Sequence, residues 1–309
     1  MLGIELILPY YHMVSDEELP HISGIYKFRT VQQFKADLEF FLRFYTPVDL
    51  QEIICHLEGN RILPKRCFLL TFDDGFREMY DVVAPILYER GVPAVFFLVT
   101  STIDNNELCY IQKKSLLIHA LRSKEDSIAE QEILKLLARV GVKGLDILSC
   151  IRSVKYRQRH LLDRLGWALG IDFNDYVASV QPYLTTMQIS ELIKKGFAIG
   201  AHSVDHPLYS ELTLEEQLFQ TRESLNWLSN RFQYKCQSFA FPYSDEGVTI
   251  EFFQRAFADG HLKISFGTHG MFRNFFPRNL SRYPMDDNER KAMQILKREF
   301  FVTLIRSPS

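Results

Sequence analysis

The chain has 309 residues, of which 47% are hydrophobic, and this amount of apolar material excludes a disordered protein and suits one large α/β domain. Its formal net charge of -2 at pH 7 argues against a dedicated nucleic-acid-binding protein, which usually carries a basic excess. The five cysteines are scattered and form no CxxC pair, so we expect free thiols in a reducing compartment.

Residues 1–12 lack the basic n-region of a signal peptide and include Glu5, so they read better as a first strand. No apolar run approaches the ~18 residues that a membrane-spanning helix needs. The sequence therefore predicts a cytoplasmic protein with no transmembrane segment, unless a targeting segment has been removed from it.

Short apolar segments that end in polar residues recur along the chain, and each has the length of a buried strand. They are Glu5–Tyr11, Cys67–Phe72, Pro93–Val99, Phe197–Ala201, Ser238–Phe241, Leu262–Phe266 and Asn279–Tyr283. Polar side chains at the carboxyl ends of several such strands are typical of one shared site at the same end of a barrel.

Helical patterns alternate with these strands, and three of them open with a capping box. The three pairs are Thr30 with Gln33, Thr185 with Gln188, and Thr213 with Glu216. Asp81 is expected to cap a fourth helix that ends at Arg90. Alternating strands and helices predict a parallel sheet, so the fold class is α/β.

The alternation breaks between residues 104 and 184, which are rich in Lys, Arg, Glu and Leu and lack strand signals. Ser127–Arg139 has a clear amphipathic helical pattern. We interpret residues 104–184 as a helical insertion within a single barrel that occupies residues 1–309. Such an insertion either covers the site or mediates oligomer formation.

Asp73, Asp74 and Gly75 follow the second strand directly and form the most informative motif. Two adjacent carboxylates cannot both lie unpaired in a dry interior, because desolvating an unpaired charge is costly. A divalent metal ion would neutralise them. We assign Asp74 to the metal and Asp73 to proton transfer from the attacking water.

His202 and His206 lie four positions apart just after another strand. If the chain turns helically there, both imidazoles face the same side. Together with one Asp they make a three-ligand set that leaves a coordination position open, which is typical of catalytic rather than structural zinc sites. Asp with two His also accommodates cobalt, nickel or iron.

Three motifs together resemble the polysaccharide deacetylase family, the NodB-homology carbohydrate esterases. They are Thr71–Gly75 (TFDDG), His202–Pro207 (HSVDHP) and Phe239–Tyr243 (FAFPY), in the family's order, and the likeness covers residues 5–103 and 185–285. The resemblance implies a distorted (β/α) barrel, usually with seven strands. It also implies metal-dependent hydrolysis of N-acetyl or O-acetyl groups on sugars.

The resemblance also implies roles for individual residues. Asp73 matches the family's catalytic base, and the backbone N–H of Tyr243 matches its oxyanion donor. The matches to its metal ligands are Asp74, His202 and His206.

Two parts of the family pattern lack a direct match. The segment Ser238–Phe241 contains no arginine to orient the base, and Arg282 is the candidate replacement, the alternative being a surface arginine or an ion pair at the sheet end. No histidine near the C-terminus matches the family's proton donor, so His12 is preferred for that role over His269.

Two other functions remain open from the sequence. One is a related hydrolase that acts on another C–N bond, as a deformylase or a cyclic amidase. The other is a carbohydrate-binding protein that retains the metal but has no activity. The expected partners are a carbohydrate bearing acetyl groups and a divalent metal, zinc first, with no nucleic acid. An oligomer formed through residues 104–184 is one of the two roles open for that segment.

Overall fold

The computed structural model describes residues 6–123, 127–270 and 276–306. The chain divides into two compact units. The barrel unit contains Met1–Asp16, Phe28–Asp104 and Tyr183–Ser309, and the helical unit contains Glu17–Lys27 and Asn105–Pro182. Among the described residues, no helix combines the length and the hydropathy that crossing a bilayer requires.

Within the described residues the barrel unit has eleven short strands. They are β1 Leu6–Ile7, β2 Pro9–Tyr11, β3 Thr46–Pro47, β4 Cys67–Phe68, β5 Leu70–Phe72, β6 Ala94–Leu98, β7 Ala198–Ala201, β8 Ser238–Ala240, β9 Ile264–Gly267, β10 Asn279–Ser281 and β11 Tyr283–Pro284. Eight of them form one parallel sheet in the order β10-β9-β8-β7-β6-β5-β2-β11, and the other three form a small parallel sheet in the order β1-β4-β3.

The eight-stranded sheet is nearly closed, because its two edge strands are consecutive pieces of chain. Strands β10 and β11 are separated by Arg282 alone, yet β10 pairs with β9 and β11 pairs with β2. The Arg282 N–H donates to Gly267 O, whereas the next N–H, of Tyr283, donates to Leu8 O. The predicted α/β barrel is confirmed, and its predicted seven strands become eight in the described chain because the last one is interrupted at this residue.

Two of the predicted strands are also divided between the sheets. Cys67–Phe72 contributes β4 to the small sheet and β5 to the barrel, with the break at Leu69. The predicted first strand is broken at Leu8 in the same way. Its first residue, Glu5, lies outside the described residues.

Thirteen α-helices complete the described chain. They are α1 Pro20–Ser23, α2 Val31–Phe44, α3 Leu50–Leu57, α4 Ala84–Glu89, α5 Tyr110–Ser123, α6 Ser127–Arg139, α7 Ile147–Ser153, α8 Leu161–Ala168, α9 Phe173–Val180, α10 Thr186–Lys194, α11 Leu214–Phe232, α12 Ile250–Phe257 and α13 Ala292–Arg306. Helices α1 and α5–α9 belong to the helical unit. The regular elements described there are all helical.

The three predicted capping boxes, at Thr30, Thr185 and Thr213, are confirmed. The predicted cap at Asp81 is wrong, because Asp81 lies inside a π-helical segment, Met79–Val83, that runs directly into α4. Pro85 has no N–H to donate to the carbonyl of Asp81, as an α-helix would require. The N–H of Ala84 donates instead to Met79 O, five residues back.

Aromatic packing fixes the strand that carries the Asp pair. Phe72, the last residue of β5, packs against Tyr11 at 5.4 Å and Phe96 at 5.3 Å between ring centroids. Phe34 of α2 contacts both Tyr11 and Phe72 edge-on. All four side chains are at most 1% exposed, so little movement is available to the end of β5.

Candidate metal centre and active site

The candidate site lies where the parallel strands of the barrel end. The residues predicted for it follow β2, β5, β7 and β8 or interrupt the last strand: His12, Asp73, Asp74, His202, His206, Tyr243 and Arg282. Carboxyl ends of parallel strands meet at one end of a barrel, which brings together residues that are far apart in sequence.

Asp74, His202 and His206 offer three donor atoms that lie within 4.8 Å of one another. Asp74 Oδ1 is 3.5 Å from His202 Nε2 and 3.1 Å from His206 Nε2. All three residues are at most 5% exposed. The cluster therefore joins one carboxylate and two imidazoles in a buried position.

This donor set fits a divalent transition-metal ion. With metal–ligand bonds of about 2.0–2.1 Å, two ligand atoms of a tetrahedral site lie about 3.3 Å apart, which is close to both observed separations. The Nδ1–H of His202 donates to Ala240 O at 2.8 Å, so the Nε2 lone pair is directed at Asp74. Fixing a ligand tautomer through the other ring nitrogen is usual at metal sites.

The two imidazoles converge through a turn that is not helical, so they reach the same side in a different way from the helical turn considered from the sequence. Ser203 and His206 have φ values of 68° and 63°, in the left-handed region that non-glycine residues rarely adopt. The N–H of His206 donates to Ser203 Oγ at 2.9 Å and holds this turn. Such strained residues cost about 1–3 kcal/mol each and cluster at functional sites.

The Asp74 backbone is strained in the same way, with φ 75°, and Gly75 follows with φ 75°.

Burial alone would raise the pKa of the Asp74 carboxyl, but His206 and His202 lower it well below its usual range. Burial lowers the pKa of His206, which keeps its imidazole neutral near pH 7. A charged carboxylate beside a neutral imidazole is the protonation state in which both bind metal.

Asp73 forms its short hydrogen bonds with Arg282. Its two carboxylate oxygens accept hydrogen bonds from the two terminal nitrogens of Arg282, at 2.7 and 2.8 Å. Burial would raise the pKa of Asp73, but Arg282 lowers it below its usual value, so the carboxyl is ionised at neutral pH. The side-by-side geometry fixes the plane of the carboxylate.

Arg282 is completely buried, which excludes the alternative of a surface arginine. Its guanidinium also donates to Thr71 Oγ1 at 3.0 Å. Aromatic rings surround it, with centroids at 4.7 Å for Tyr10, 5.3 Å for Phe97 and 5.9 Å for Phe266. Those ring faces help to offset the cost of burying the cation.

His12 lies after β2 and is paired with a carboxylate that the sequence did not single out. Asp286 accepts from the His12 backbone N–H at 3.2 Å and contacts Nδ1 of the ring at 2.5 Å. Burial would lower the pKa of His12, but Asp286, with smaller contributions from Asp74 and Asp73, raises it to about 9. The imidazole is therefore protonated at neutral pH, and the negative charges of the Asp pair favour this protonated form.

Tyr243 contacts a metal-ligand candidate, whereas the contact given for His269 is with Asp245. The Tyr243 ring packs against the His206 ring at 4.7 Å and is 40% exposed. His269 contacts Asp245 Oδ1 through Nδ1 at 2.7 Å, and this hydrogen bond raises the pKa of His269. Asp245, which the sequence did not single out, is buried, whereas the His269 side chain is 41% exposed.

The sequence pattern of the polysaccharide deacetylase family matches residues 60–148 and 155–257, which is more than half of the chain. The chain belongs to the polysaccharide deacetylase family. Membership of this family supports an enzyme that removes acetyl groups from sugar polymers. The matched region includes the Asp pair, both histidines and Tyr243.

A curated relative is the poly-β-1,6-N-acetyl-D-glucosamine N-deacetylase of Escherichia coli K12, which is 40% identical over 60 residues. That match spans 19% of this chain and 9% of the relative. The same enzyme of E. coli O157:H7 matches equally.

Solved structures of similar fold include the deacetylase PplD of Streptococcus pyogenes, with a TM-score of 0.61 at 15% identity, covering 96% of this chain and 99% of that one. IcaB from Ammonifex degensii has a TM-score of 0.59 at 16% identity, covering 96% and 97%. A de-N-acetylase from Aggregatibacter actinomycetemcomitans has a TM-score of 0.59 at 15% identity, covering 94% and 99%. At these identities the likeness shows the shared fold.

Proposed function

We propose that this protein is a metal-dependent hydrolase that removes N-acetyl or O-acetyl groups from a sugar or polysaccharide. The observation that carries the proposal is that the two carboxylates of the Asp pair have different surroundings. Asp74 faces two imidazole nitrogens at metal-ligand separations, while both carboxylate oxygens of Asp73 are held by Arg282. A site for a cation and a separate ionised base are the two parts that this hydrolysis needs.

A divalent cation held by Asp74, His202 and His206 would polarise the acyl carbonyl and lower the pKa of water. Asp73 accepts the proton of the attacking water as the new C–O bond forms. The backbone N–H of Tyr243 donates to the acyl oxygen as it gains negative charge.

His12, protonated because of Asp286, gives its proton to the departing amine or alcohol. Acetate and the deacetylated sugar leave. Between turnovers Asp73 releases the proton that it took from the water and His12 regains one from solvent, while Asp286 holds the His12 ring through the same hydrogen bond.

Zinc is the metal that we propose first, since Asp with two His and an open position is a common catalytic zinc set. The substrate proposed first is a β-1,6-linked N-acetylglucosamine polymer, because the curated E. coli relative carries that substrate in its name. The cytoplasmic location, and an oligomer formed through residues 104–184, stay predictions from the sequence.

The test is acetate release from acetylated glucosamine oligomers, compared between wild type and Asp73→Asn, with metal content measured in both. We expect wild type to release acetate, and the variant to keep its metal and lose activity by at least about 100-fold. Formylated sugars and cyclic amides assayed in parallel identify a deformylase or a cyclic amidase. Sugar binding without turnover in wild type would identify an inactive binding protein and refute the proposal.

A further inference from the structure

The backbone at Tyr243 forms a strained three-residue turn. The N–H of Ser244 donates to Pro242 O at 2.7 Å, and the central residue, Tyr243, has φ 58°. A γ-turn with positive φ is rare because the central residue is strained. The turn therefore needs contacts from elsewhere to persist.

Thr268, which follows β9, supplies such a contact. Its hydroxyl donates to Tyr243 O at 2.8 Å, and its own N–H donates to Asp245 Oδ1 at 3.2 Å. Asp245 is anchored in turn by Asn279 of β10, whose Nδ2 donates to Oδ2 at 2.7 Å. The strained turn is thus connected to the residue that follows β9 and to the first residue of β10.

This connection reaches the N–H of Tyr243 in three steps. The Thr268 hydroxyl holds the peptide between residues 243 and 244 through its carbonyl oxygen. The N–H of that same peptide holds Pro242 O. In a planar trans peptide the N–H points opposite to the carbonyl, so fixing Pro242 O also fixes the direction of the Tyr243 N–H.

We propose that Thr268 is a positioning residue, which holds the Tyr243 N–H in the direction needed to receive the acyl oxygen of the substrate. This inference rests on the proposed function, in which that N–H stabilises the oxyanion. Such donors contribute most when they are fixed before the reaction begins. Loss of the hydroxyl leaves the donor present but free to turn away.

The test compares Thr268→Val, which removes the hydroxyl and keeps the shape, with Thr268→Ser, which keeps the hydroxyl. We expect kcat to fall by about 10- to 100-fold in the Val variant, with KM changed less than about 2-fold, because a small misplacement acts on the transition state. Thr268→Ser should recover most of kcat. Metal content should be equal in all three proteins.

A matched control removes a similar hydrogen bond elsewhere. The buried hydroxyl of Thr221 in α11 donates to Gln217 O at 3.0 Å and shares a second hydrogen bond with Tyr209 OH at 2.8 Å, so Thr221→Val loses at least as much hydrogen bonding as Thr268→Val, but none to Tyr243. Its kcat should stay within about 2-fold of wild type. Binding of a methylphosphonamidate of glucosamine, a tetrahedral analogue of the reacting acetamide, gives a second readout and should weaken in Thr268→Val by the same factor as kcat.

Equal kcat in wild type and Thr268→Val would overturn the inference, as would equal losses in the Val and Ser variants. If Thr268→Val folds poorly, Thr268→Ala provides the same comparison with a smaller side chain. If wild type releases acetate and Thr268→Val has the same kcat, this inference is wrong but the proposed function stands. Absence of acetate release from every acylated sugar by wild type removes the proposed function and this inference with it.

Discussion

Replacing Arg282 by Met tests whether one buried guanidinium keeps Asp73 ionised and fixed. Both hydrogen bonds to the carboxylate are short, at 2.7 and 2.8 Å, and the side chains are 0% and 3% exposed. Removing one partner of such a pair leaves an uncompensated buried charge, which costs about 3–5 kcal/mol. Met fills most of the space of Arg but replaces neither hydrogen bond.

The double variant Asp73→Asn/Arg282→Met separates the ion pair from the other contacts of Arg282. The three rings around the guanidinium lose their cation in Arg282→Met and in the double variant alike, so that loss cancels in the cycle. The double variant contains no unpaired charge. We expect it to be more stable than the sum of the two single changes by about 2–3 kcal/mol.

The assay is urea unfolding at pH 7, followed by tryptophan fluorescence and far-UV circular dichroism, with coincident transitions required before free energies are compared. The exposed pair of Arg255 and Glu215, at 2.6 Å, is the matched control and should show a much smaller coupling because solvent screens it. Additivity of the Asp73 and Arg282 changes within about 0.5 kcal/mol would refute the reasoning.

Three further predictions concern other parts of the site. Gly267→Ala would place a Cβ 2.2–2.3 Å from the Asp245 carboxylate and should destabilise the protein in urea unfolding by about 1–3 kcal/mol; an unchanged midpoint would show that Asp245 moves freely. The His12 pKa is raised from 6.5 to about 9, so its pairing with Asp286 should add stability that is complete below about pH 6.5 and is lost as the pH rises through 9. Urea titrations from pH 6 to 10 should show this loss in wild type and not in Asp286→Asn, and equal slopes would contradict it. Chelation should lower the Tm of wild type, and zinc should restore it. At a free zinc concentration of 100 times Kd the expected stabilisation is about 2.7 kcal/mol, and His206→Ala should respond weakly. Equal zinc responses of the two proteins in calorimetry would remove His206 from the metal site.

Features that a short segment decides for itself could be predicted from the sequence. The capping boxes at Thr30, Thr185 and Thr213 formed because each needs only a hydroxyl and an amide or carboxylate three residues later. Asp81 has the right residue type for a cap, but the missing N–H of Pro85 gives the turn a π-helical pattern instead. A side-chain type alone therefore does not locate a helix end.

Contacts between distant segments were predictable only where strand ends gave a signal. Arg282 and Asp73 are 209 positions apart, yet both lie at strand ends, which meet in a parallel barrel. Asp286 also lies just after a strand, the last one. Nothing in the sequence indicates that its partner is His12, which is 274 positions earlier in the chain. The left-handed turn between His202 and His206 gave no signal either, since neither Ser203 nor His206 is a glycine.

The interrupted last strand links the closure of the barrel to the position of Arg282, which lies between β10 and β11. Asn279 is in register with Ser265 on one side, and Tyr283 is in register with Pro9 on the other. Inserting or deleting a single residue here would reverse the facing of every side chain beyond it. Arg282 would then point away from Asp73, and the strand pairing on one side of the segment would be lost. A change in the length of this segment would therefore damage both the base and the closure of the barrel.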